Sequence, residues 1–512
     1  MARDQARVEQ FAFSRRQGRS DASRVRLVQC RPPYHMTMFT MGGSMSDRRV
    51  DAVVIGSGQG GGPLAGAFAR AGRRTVLIER AHIGGTCVNE GCTPSKTMVA
   101  SARVAYLARR AGDYGVDCGA TSVDLARVVE RKRAVVRRFR AGSERRLATS
   151  GVEIMSADAR FVGERRIEAR APDGATHTLS ADVVIIDTGS RPARPPIPGL
   201  DDVPTLDSTS IMELEVLPEH LLVLGGGYVG LEFAQMFRRF GSRVTVIQRD
   251  EQLLPREDAD VADAVAKVLG EDGIDVLLGG ETTRASCTEQ GIALTVRRVS
   301  GPGTIEGSHL LVATGRTPNT ESLDAAAGGV ALDARGFVRV DARLATSAHG
   351  VYAVGDVTGG PAFTHISYDD FRILRTNLLE GGSATTQGRL VPYVVYIDPQ
   401  LGRVGLTQRE AAERGQNIDV ATMPMSSIAR ALETDESRGF VKVLVDRETH
   451  RILGCAVLGI EGGEVMSMLQ LAMMGDLPYT ALRNAVFAHP TLAESLNNLF
   501  APLDPASQTR SA

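Results

Sequence analysis

Two glycine-rich loops, each between an apolar strand and a helix, constrain the fold of this chain more than any other feature. The first loop follows a strand predicted over 51–55, and the second follows a strand predicted over 221–224. The glycines at phosphate-binding spacing are Gly56, Gly58 and Gly61 in the first loop, and Gly225, Gly227 and Gly230 in the second. Glycine at these positions lets the backbone approach a pyrophosphate at the N-terminus of the next helix. The sequence therefore predicts two Rossmann-like βαβ units.

The end of the second strand differs between the two units. Helices are predicted over 63–71 and 231–240, and second strands over 75–79 and 244–247. Glu79 ends the strand of the first unit, where a carboxylate can accept hydrogen bonds from ribose hydroxyls. The corresponding position of the second unit holds Gln248, followed by Arg249. Units that bind NAD usually have an acid at this position. An amide followed by a cation instead favours the 2′-phosphate of NADPH.

Composition and charge narrow the function classes. The 512 residues are 43% hydrophobic and 23% charged, which is ordinary for a globular chain of about three domains. The net charge of -1 gives no bulk attraction to nucleic acid or membranes, and no apolar run approaches the roughly 18 residues of a membrane span. Apart from one pair, the six cysteines are scattered, which favours a reducing compartment. We expect a cytoplasmic protein with neither nucleic-acid nor membrane partners.

The cysteine pair lies in the segment GGTCVNEGCTPSK, residues 84–96. Cys87 and Cys92 could be two inert buried thiols or part of a metal site. No second pair of ligands follows at metal-binding spacing, so we predict no metal site. A helix start near Pro94 and the cation of Lys96 both favour the reactive thiolate. The pair is therefore interpreted as redox-active.

This segment resembles the signature of the class I pyridine nucleotide-disulfide oxidoreductases, which include dihydrolipoamide dehydrogenase, glutathione reductase and mercuric reductase. The resemblance extends over about residues 48–500. It implies an α/β fold in which an FAD-binding domain is split around an NAD(P)-binding domain. A C-terminal α+β dimerisation domain follows, and the protein is expected to be a homodimer.

The predicted domain limits follow from three further motifs. Gly189, within DTGSRP, marks the crossing out of the first domain, and Gly315, within ATGRTPN, marks the return. By resemblance, Asp356 binds the flavin ribityl chain. The predicted segments are 1–49, a disordered or mis-called extension; 50–190, the first part of the FAD domain; 191–312, the NAD(P) domain; 313–387, the second part of the FAD domain; 388–500, the dimerisation domain; and 501–512, a tail.

The resemblance also assigns roles around the flavin. Electrons pass from NAD(P)H through FAD to the Cys87–Cys92 disulfide, with Cys92 against the flavin and Cys87 facing the substrate. Lys96 and Glu232 match an ion pair beside the flavin. The expected cofactor-binding residues are Gly56, Gly58, Gly61, Glu79, Gly85, Thr86, Lys96, Gly189, Asp356, Gly225, Gly227, Gly230, Gln248, Arg249 and Gly315.

A histidine near the C-terminus completes the expected machinery. His489 and Glu494 match the family motif HPTxxE. In the family the glutamate orients the imidazole, which exchanges a proton with the substrate thiol, and histidine suits this role because its pKa lies near neutrality. The motif acts on the cysteines of the other subunit, so the resemblance implies that the active site requires a dimer.

Two points about the coenzyme stay open. Gly230 is intact, whereas relatives that use NADP often have alanine there, so NADH remains an alternative to NADPH. Tyr228 matches a residue that gates the nicotinamide pocket in some members, and packing within the glycine loop explains it equally well.

The substrate is expected to be a small-molecule disulfide or dithiol, and three alternatives accompany this reading. Residues 87–89 and 242–246 are closest to mercuric reductases, but no cysteine follows Cys455 and the His489–Glu494 dyad is kept, which argues against Hg(II) reduction. Dihydrolipoamide dehydrogenase would run in the opposite direction with the same dyad. A non-catalytic flavoprotein is disfavoured by the intact cysteine pair.

Overall fold

The computed structural model describes residues 47–289 and 291–503. The strands are β1 Asp47–Ile55, β2 Thr75–Glu79, β3 Glu153–Ser156, β4 Asp158–Gly163, β5 Arg166–Arg170, β6 Thr176–Ile186, β7 Ser190–Pro192, β8 Thr205–Leu206, β9 His220–Leu224, β10 Arg243–Ile247, β11 Asp275–Leu277, β12 Glu281–Thr288, β13 Gly291–Arg298, β14 Gly301–Gly307, β15 His309–Val312, β16 Arg316–Pro318, β17 Val351–Ala353, β18 Tyr393–Val395, β19 Gln400–Gly405, β20 Ile418–Pro424, β21 Phe440–Asp446 and β22 Ile452–Gly459. The α-helices are α1 Gly61–Arg70, α2 Gly85–Asn89, α3 Cys92–Arg109, α4 Leu125–Ala148, α5 Tyr228–Phe240, α6 Ala259–Glu271, α7 Thr364–Leu379, α8 Gln408–Glu413, α9 Ala429–Glu433, α10 Gly462–Met474, α11 Tyr479–Arg483 and α12 Ser495–Leu499.

The first βαβ unit forms the centre of a seven-stranded sheet. Its order is β3-β2-β1-β6-β5-β4, with β17 also paired to β6. Strands β1, β2, β3 and β17 join in parallel, and the β4–β5–β6 meander is antiparallel. The carboxyl ends of β1, β2 and β6 therefore meet at one edge, beside the first glycine loop.

The second unit forms a five-stranded parallel sheet of order β11-β10-β9-β15-β8. An antiparallel meander of β12, β13 and β14 lies between β11 and β15 in the chain. Both ends of this segment connect to the first domain through the antiparallel pair β7–β16. After β16, strand β17 returns to the first sheet beside β6. The first domain is thus assembled from two separate parts of the chain.

The C-terminal part folds around a five-stranded antiparallel sheet of order β18-β19-β22-β21-β20. Helix α10 packs on β19 and β22, and the small residues Gly402 and Gly462 allow close approach because a Cβ on Gly402 would lie 2.5 Å from the Gly462 carbonyl oxygen. An apolar core of strand and helix side chains fills the space between them.

A buried ion network joins α5 to the C-terminal part. The Arg239 guanidinium lies 2.5 Å from an Asp398 carboxylate oxygen and 3.1 Å from an Asp272 oxygen. Arg438 contributes a second cation, 2.8 Å from Asp272. The Arg239 and Asp272 side chains are 4% and 5% exposed, so each charge depends on its partners for stabilisation.

The structure differs from the sequence prediction at element ends. Residues 47–49, assigned above to the N-terminal extension, belong to β1 and pair with β6 from Asp47 onward. Residues 1–46, the rest of that extension, lie outside the described part. Helices α1 and α5 begin at Gly61 and Tyr228, earlier than predicted, because the phosphate loop already forms the first helical turn.

The remaining differences are small. Of the predicted tail, residues 501–503 form a short 3-10 turn whose last carbonyl accepts a hydrogen bond from the Tyr479 hydroxyl; the other tail residues lie outside the described part. Helix α4, the longest described at 24 residues, carries many arginines along its length. Over residues 47–503, apart from the undescribed Gln290, we find no helix that is both long and apolar enough to span a membrane.

Candidate functional site

The first glycine loop is preorganised by Glu79. Ser57 donates both its backbone N–H, at 3.0 Å, and its hydroxyl, at 2.6 Å, to one Glu79 carboxylate oxygen. A Cβ on Gly85 would lie 2.6 Å from the Gly58 Cα, so only glycine permits the next loop to pack against this one. Gly56, with φ +101°, and Gly61 are equally restricted because a Cβ on either would meet Asp187.

These residues open onto a cavity of about 720 Å³ that also contains both predicted redox cysteines. Glu79, Thr86, Gly189 and Asp356 lie on its wall. The Thr188 hydroxyl, on the same wall, is buried and has no hydrogen-bond partner among the residues that the structure describes. A cavity of this volume, lined by the glycine loop and by an unpaired hydroxyl, fits an FAD molecule.

The two cysteines lie at the junction of α2 and α3. Both are free thiols, and the Cys92 Sγ lies 3.5 Å from the Thr364 hydroxyl at the start of α7. A hydrogen bond from Cys87 lowers the pKa of Cys92 to about 6, and Thr364 and Lys96 contribute in the same direction. The same hydrogen bond raises the pKa of Cys87. At neutral pH the pair therefore holds its negative charge on Cys92 and its proton on Cys87.

Lys96 and Glu232 form an ion pair behind the cysteines. The Lys96 Nζ lies 2.6 Å from a Glu232 oxygen, and the Glu232 side chain is 5% exposed. The other Glu232 oxygen accepts the backbone N–H of Tyr396 at 2.8 Å. Burial opposes the charge on Lys96, but attraction to Glu232 outweighs it and the pKa of Lys96 is raised. Helices α3 and α5 are held at this spacing by an apolar cluster that contains Met98 and Phe233.

Asp356 lies at the point where the two parts of the first domain meet. Ser190 in β7 donates its hydroxyl to Asp356 at 2.7 Å, and Arg316 in β16 donates to that hydroxyl at 2.7 Å. Ser190, Arg316 and Thr364 were missed by sequence reasoning. Ser190 and Arg316 directly follow the predicted Gly189 and Gly315, which could have signalled them, whereas Thr364 has no local signal.

The second glycine loop repeats the arrangement with a different side chain. The Gln248 carbonyl oxygen accepts the Gly226 N–H at 2.9 Å, and its amide donates to Asp250 at 3.0 Å. Arg249 has a 78% exposed side chain and lies 3.4 Å from Asp250. A Cβ on Gly230 would lie 2.2 Å from the Gly225 carbonyl oxygen, which requires glycine there. Asp250, absent from the sequence prediction, brings a carboxylate close to the expected ribose position.

The remaining glycines have structural reasons of their own. Gly225 has φ +114°, and a Cβ on it would lie 2.5 Å from the Ala313 carbonyl oxygen. Gly189 and Gly315 have φ +67° and +141°, conformations that favour glycine at both crossings. Gly227, at the start of α5, has open space around its Cα, so a ligand can approach its backbone.

Tyr228, the first residue of α5, lines the same cavity as the cysteines. Its ring lies 5.9 Å from that of Phe363, which stacks at 5.4 Å on Tyr393. Burial raises the pKa of Tyr228. The tyrosine therefore stands on the cavity wall as one end of an aromatic row, and both the gating and the packing interpretation remain predictions.

His489 and Glu494 contact each other on the protein surface. The His489 Nδ1 lies 2.9 and 3.0 Å from the two Glu494 oxygens, which directs the other ring nitrogen away from the carboxylate. The His489 side chain is 72% exposed. The cavity that contains Cys87 and Cys92 is lined by other described residues of the chain, and His489 is not one of them.

Family models match nearly all of the described chain. Residues 50–370 match the pyridine nucleotide-disulphide oxidoreductase model, and residues 391–500 match the corresponding dimerisation domain. The chain is 38% identical over 457 residues to the probable pyridine nucleotide-disulfide oxidoreductase RclA of Escherichia coli K12, covering 88% of this chain and 99% of RclA. It is 36% identical to a mercuric reductase of Streptomyces lividans, covering 87% and 94% of the two chains.

Two further comparisons agree. A dihydrolipoyl dehydrogenase of Vibrio cholerae is 32% identical, with 88% of this chain and 94% of the relative covered. The solved structure of the HOCl-induced flavoprotein disulfide reductase RclA of E. coli matches with a TM-score of 0.81 at 38% identity, covering 89% and 100% of the two chains, and a Cu(II) complex of that protein matches equally well. These matches confirm the predicted fold class and the resemblance stated above.

The charge distribution in the cysteine pair gives a prediction. Because Cys87 and Lys96 both stabilise the Cys92 thiolate, Cys87→Ala and Lys96→Met should each raise the Cys92 pKa above about 6. The larger increase is expected for Cys87→Ala, which removes the strongest contribution. In the reduced wild-type protein, Cys92 alkylation should slow as the pH falls through about 6, and in both variants this midpoint should move upward. The fraction of alkylated Cys92 at each pH is measured by peptide mass spectrometry after short exposures to iodoacetamide.

The exposed thiol of Cys118 serves as the internal control, since its alkylation profile should be the same in all three proteins. A Cys92 midpoint that stays unchanged in both variants would contradict the assignment of the thiolate.

Proposed function

The chain belongs to the pyridine nucleotide-disulphide oxidoreductase family, and from that membership we propose that it reduces a small-molecule disulfide through Cys87 and Cys92. It is a flavoprotein disulfide reductase with FAD and NAD(P)H as cofactors. The dimerisation domain supports a homodimer. The observation that carries the proposal is the pair of free thiols beside the Lys96–Glu232 ion pair, on the wall of the cavity with the glycine loop.

Bound FAD supplies two-electron transfer from NAD(P)H to the cysteine pair. In the reduced pair, the Cys87 thiol gives up its proton as its sulfur attacks one sulfur of the substrate disulfide. A mixed disulfide forms, and a proton is returned to the sulfur that leaves as the first thiol. Cys92 then attacks the Cys87 sulfur, releases the second thiol and restores the Cys87–Cys92 disulfide. NAD(P)H and one proton are consumed for each substrate disulfide reduced to two thiols.

The leaving thiolate needs a proton, and we assign this step to His489 from the second subunit. Its contact with Glu494 holds the imidazole in one orientation, and its exposure leaves it available to another chain. The hydrogen bond from Cys87, supported by Thr364 and Lys96, keeps the charge of the pair on Cys92.

Metal-ion reduction is a second candidate function. A relative was solved as a Cu(II) complex and others are mercuric reductases. Over residues 47–289 and 291–503 no group of three His, Cys, Asp or Glu side chains could hold a metal ion, so such an ion would meet the cysteine pair as a substrate. Dihydrolipoamide oxidation, the reverse direction, remains the runner-up among thiol reactions.

The predicted domain limits, with the first domain now beginning at Asp47, and a cytoplasmic location are retained as part of this proposal. The return of β17 to the first sheet supports a split FAD domain, and dependence on NAD(P)H suits a compartment that maintains that coenzyme in reduced form.

The direct test is anaerobic reduction followed by reoxidation. NADPH or NADH should bleach the flavin absorbance, and a disulfide substrate should restore it and liberate two thiols per coenzyme. Glutathione disulfide, lipoamide, Cu(II) and Hg(II) are compared as oxidants, with Cys87→Ser as the matched control. Reoxidation by a disulfide that survives Cys87→Ser would contradict the proposal, and a flavin that no coenzyme bleaches would favour a non-catalytic flavoprotein.

The coenzyme preference is predicted to depend on Gln248. In wild type we expect NADPH to be preferred, since the position that follows the second strand of this unit holds a neutral amide in place of an acid, and the next residue is the cation Arg249. In Gln248→Glu the new carboxylate repels a 2′-phosphate, and the ratio of kcat/KM for NADPH to that for NADH should fall by roughly tenfold or more. Arg243→Gln, on the exposed start of the same strand, serves as the control. Equal use of both coenzymes in both proteins would refute the role of Gln248.

The assignment of His489 across subunits is tested with mixed dimers. Neither Cys87→Ser nor His489→Ala homodimers should reduce disulfides at a normal rate, with a loss of roughly 10²–10⁴-fold for the histidine variant. A mixed dimer has one intact site and one doubly defective site, so its activity should recover toward half that of wild type. Flavin bleaching by NADPH should persist in His489→Ala. Mixed dimers that recover no activity would show that His489 does not act on the cysteines of the other subunit.

A further inference from the structure

A buried carboxyl group lies against the first glycine loop. Asp187 directly follows β6, and its backbone N–H binds the Ile55 carbonyl at 2.8 Å. One side-chain oxygen, Oδ2, accepts the Gly61 N–H at 2.7 Å. A Cβ on Gly58 would lie 2.7 Å from the same oxygen, so the carboxyl group packs directly against the loop backbone. Asp187 also lies on the wall of the cofactor cavity, although the protein around it is closely packed.

Three carboxylates act on the charge of Asp187. Glu79, Asp356 and Asp370 face it from the end of β2, the turn after β17 and helix α7. Two cations approach this cluster, but Arg316 lies beside Asp356 and Arg389 beside Asp370. Asp187 itself forms no ion pair within the part of the chain that the structure describes.

An ionised Asp187 is therefore disfavoured. Burial raises its pKa well above the usual range, and the three carboxylates raise it further, whereas the single Gly61 N–H opposes them only in part. A dinucleotide pyrophosphate at this loop brings additional negative charge, which disfavours the carboxylate once more. A neutral carboxylic acid suits both the Gly61 N–H and a bound pyrophosphate. One of its oxygens accepts the hydrogen bond from Gly61, and the other carries a proton that it can donate to the pyrophosphate.

We propose that Asp187 is a protonated carboxylic acid that donates a hydrogen bond to the pyrophosphate of bound FAD, supplementing the backbone N–H donors of the glycine loop. This residue lies outside the glycine fingerprint, and its role is binding, independent of the disulfide chemistry. The proposal therefore stands or falls separately from the identity of the substrate.

Two variants of the holoenzyme separate donor from charge. Asp187→Asn keeps the shape, an acceptor for Gly61 and a donor N–H, so it should retain FAD nearly as firmly as wild type. Asp187→Ala removes the donor and should release FAD about tenfold faster or more, the size expected for a hydrogen bond to a charged group. The dissociation rate is measured from the fluorescence of released FAD after dilution. Asp182→Asn, exposed on the preceding strand β6 and paired only at the surface, is the control.

The protonation state is read independently of flavin release. Infrared spectra of wild-type holoenzyme, with and without carbon-13 in the aspartate carboxyl, should contain a protonated carboxyl band at neutral pH that shifts with the label. The band should disappear in Asp187→Asn and persist in Asp182→Asn.

Absence of any label-sensitive protonated band in wild type would overturn the proposal and needs no variant to fold. Loss of FAD from Asp187→Asn as rapid as from Asp187→Ala, or retention by both as firm as in wild type, would also overturn it. A band that survives in a folded Asp187→Asn protein would assign the proton to another aspartate and overturn it equally.

Discussion

The site depends on one buried carboxylate, that of Glu232. It reaches from α5 to Lys96 on α3 with one oxygen and to the Tyr396 backbone with the other. The parts of the chain that form the first sheet, the second sheet and the C-terminal sheet therefore meet at this one side chain. Removing two charges from water is costly, and the pair persists because each Glu232 oxygen has a donor. The result is a cation fixed behind the cysteines, whose field contributes to the low pKa of Cys92.

The two βαβ units bind the backbone of their glycine loops with different side chains. In each, the residue at the end of the second strand returns to bind an N–H of the glycine loop: Glu79 accepts from Ser57, and Gln248 accepts from Gly226. The side chain at this position therefore has a structural duty besides any contact with ribose. Replacing an acid by an amide preserves the loop, since both provide an acceptor oxygen, while changing the charge that a bound nucleotide meets. This explains how one framework can accommodate different coenzymes.

Much of the fold could be predicted from sequence because its signals are local. Each glycine loop is contiguous with its strands, and Cys92 precedes Lys96 by about one helical turn, so spacing alone was informative. Thr364 could not be found in this way, since it reaches Cys92 only through the return of the chain to α7. Asp187 was visible within a motif, but its burial among three distant carboxylates depends on how β2, β17 and α7 converge. Element ends were misjudged where the loop itself starts the helix.

The ion network of Arg239, Asp272, Asp398 and Arg438 bears on how the nucleotide-binding segments can move. Rotating the second sheet away from the C-terminal sheet would separate these buried charges from the partners that stabilise them. The network therefore opposes such a rotation. A rotation of the Tyr228 side chain alone, at the end of its aromatic row, separates none of these charges. The predicted gating role of Tyr228 is therefore compatible with nucleotide-binding segments that stay fixed on the C-terminal sheet.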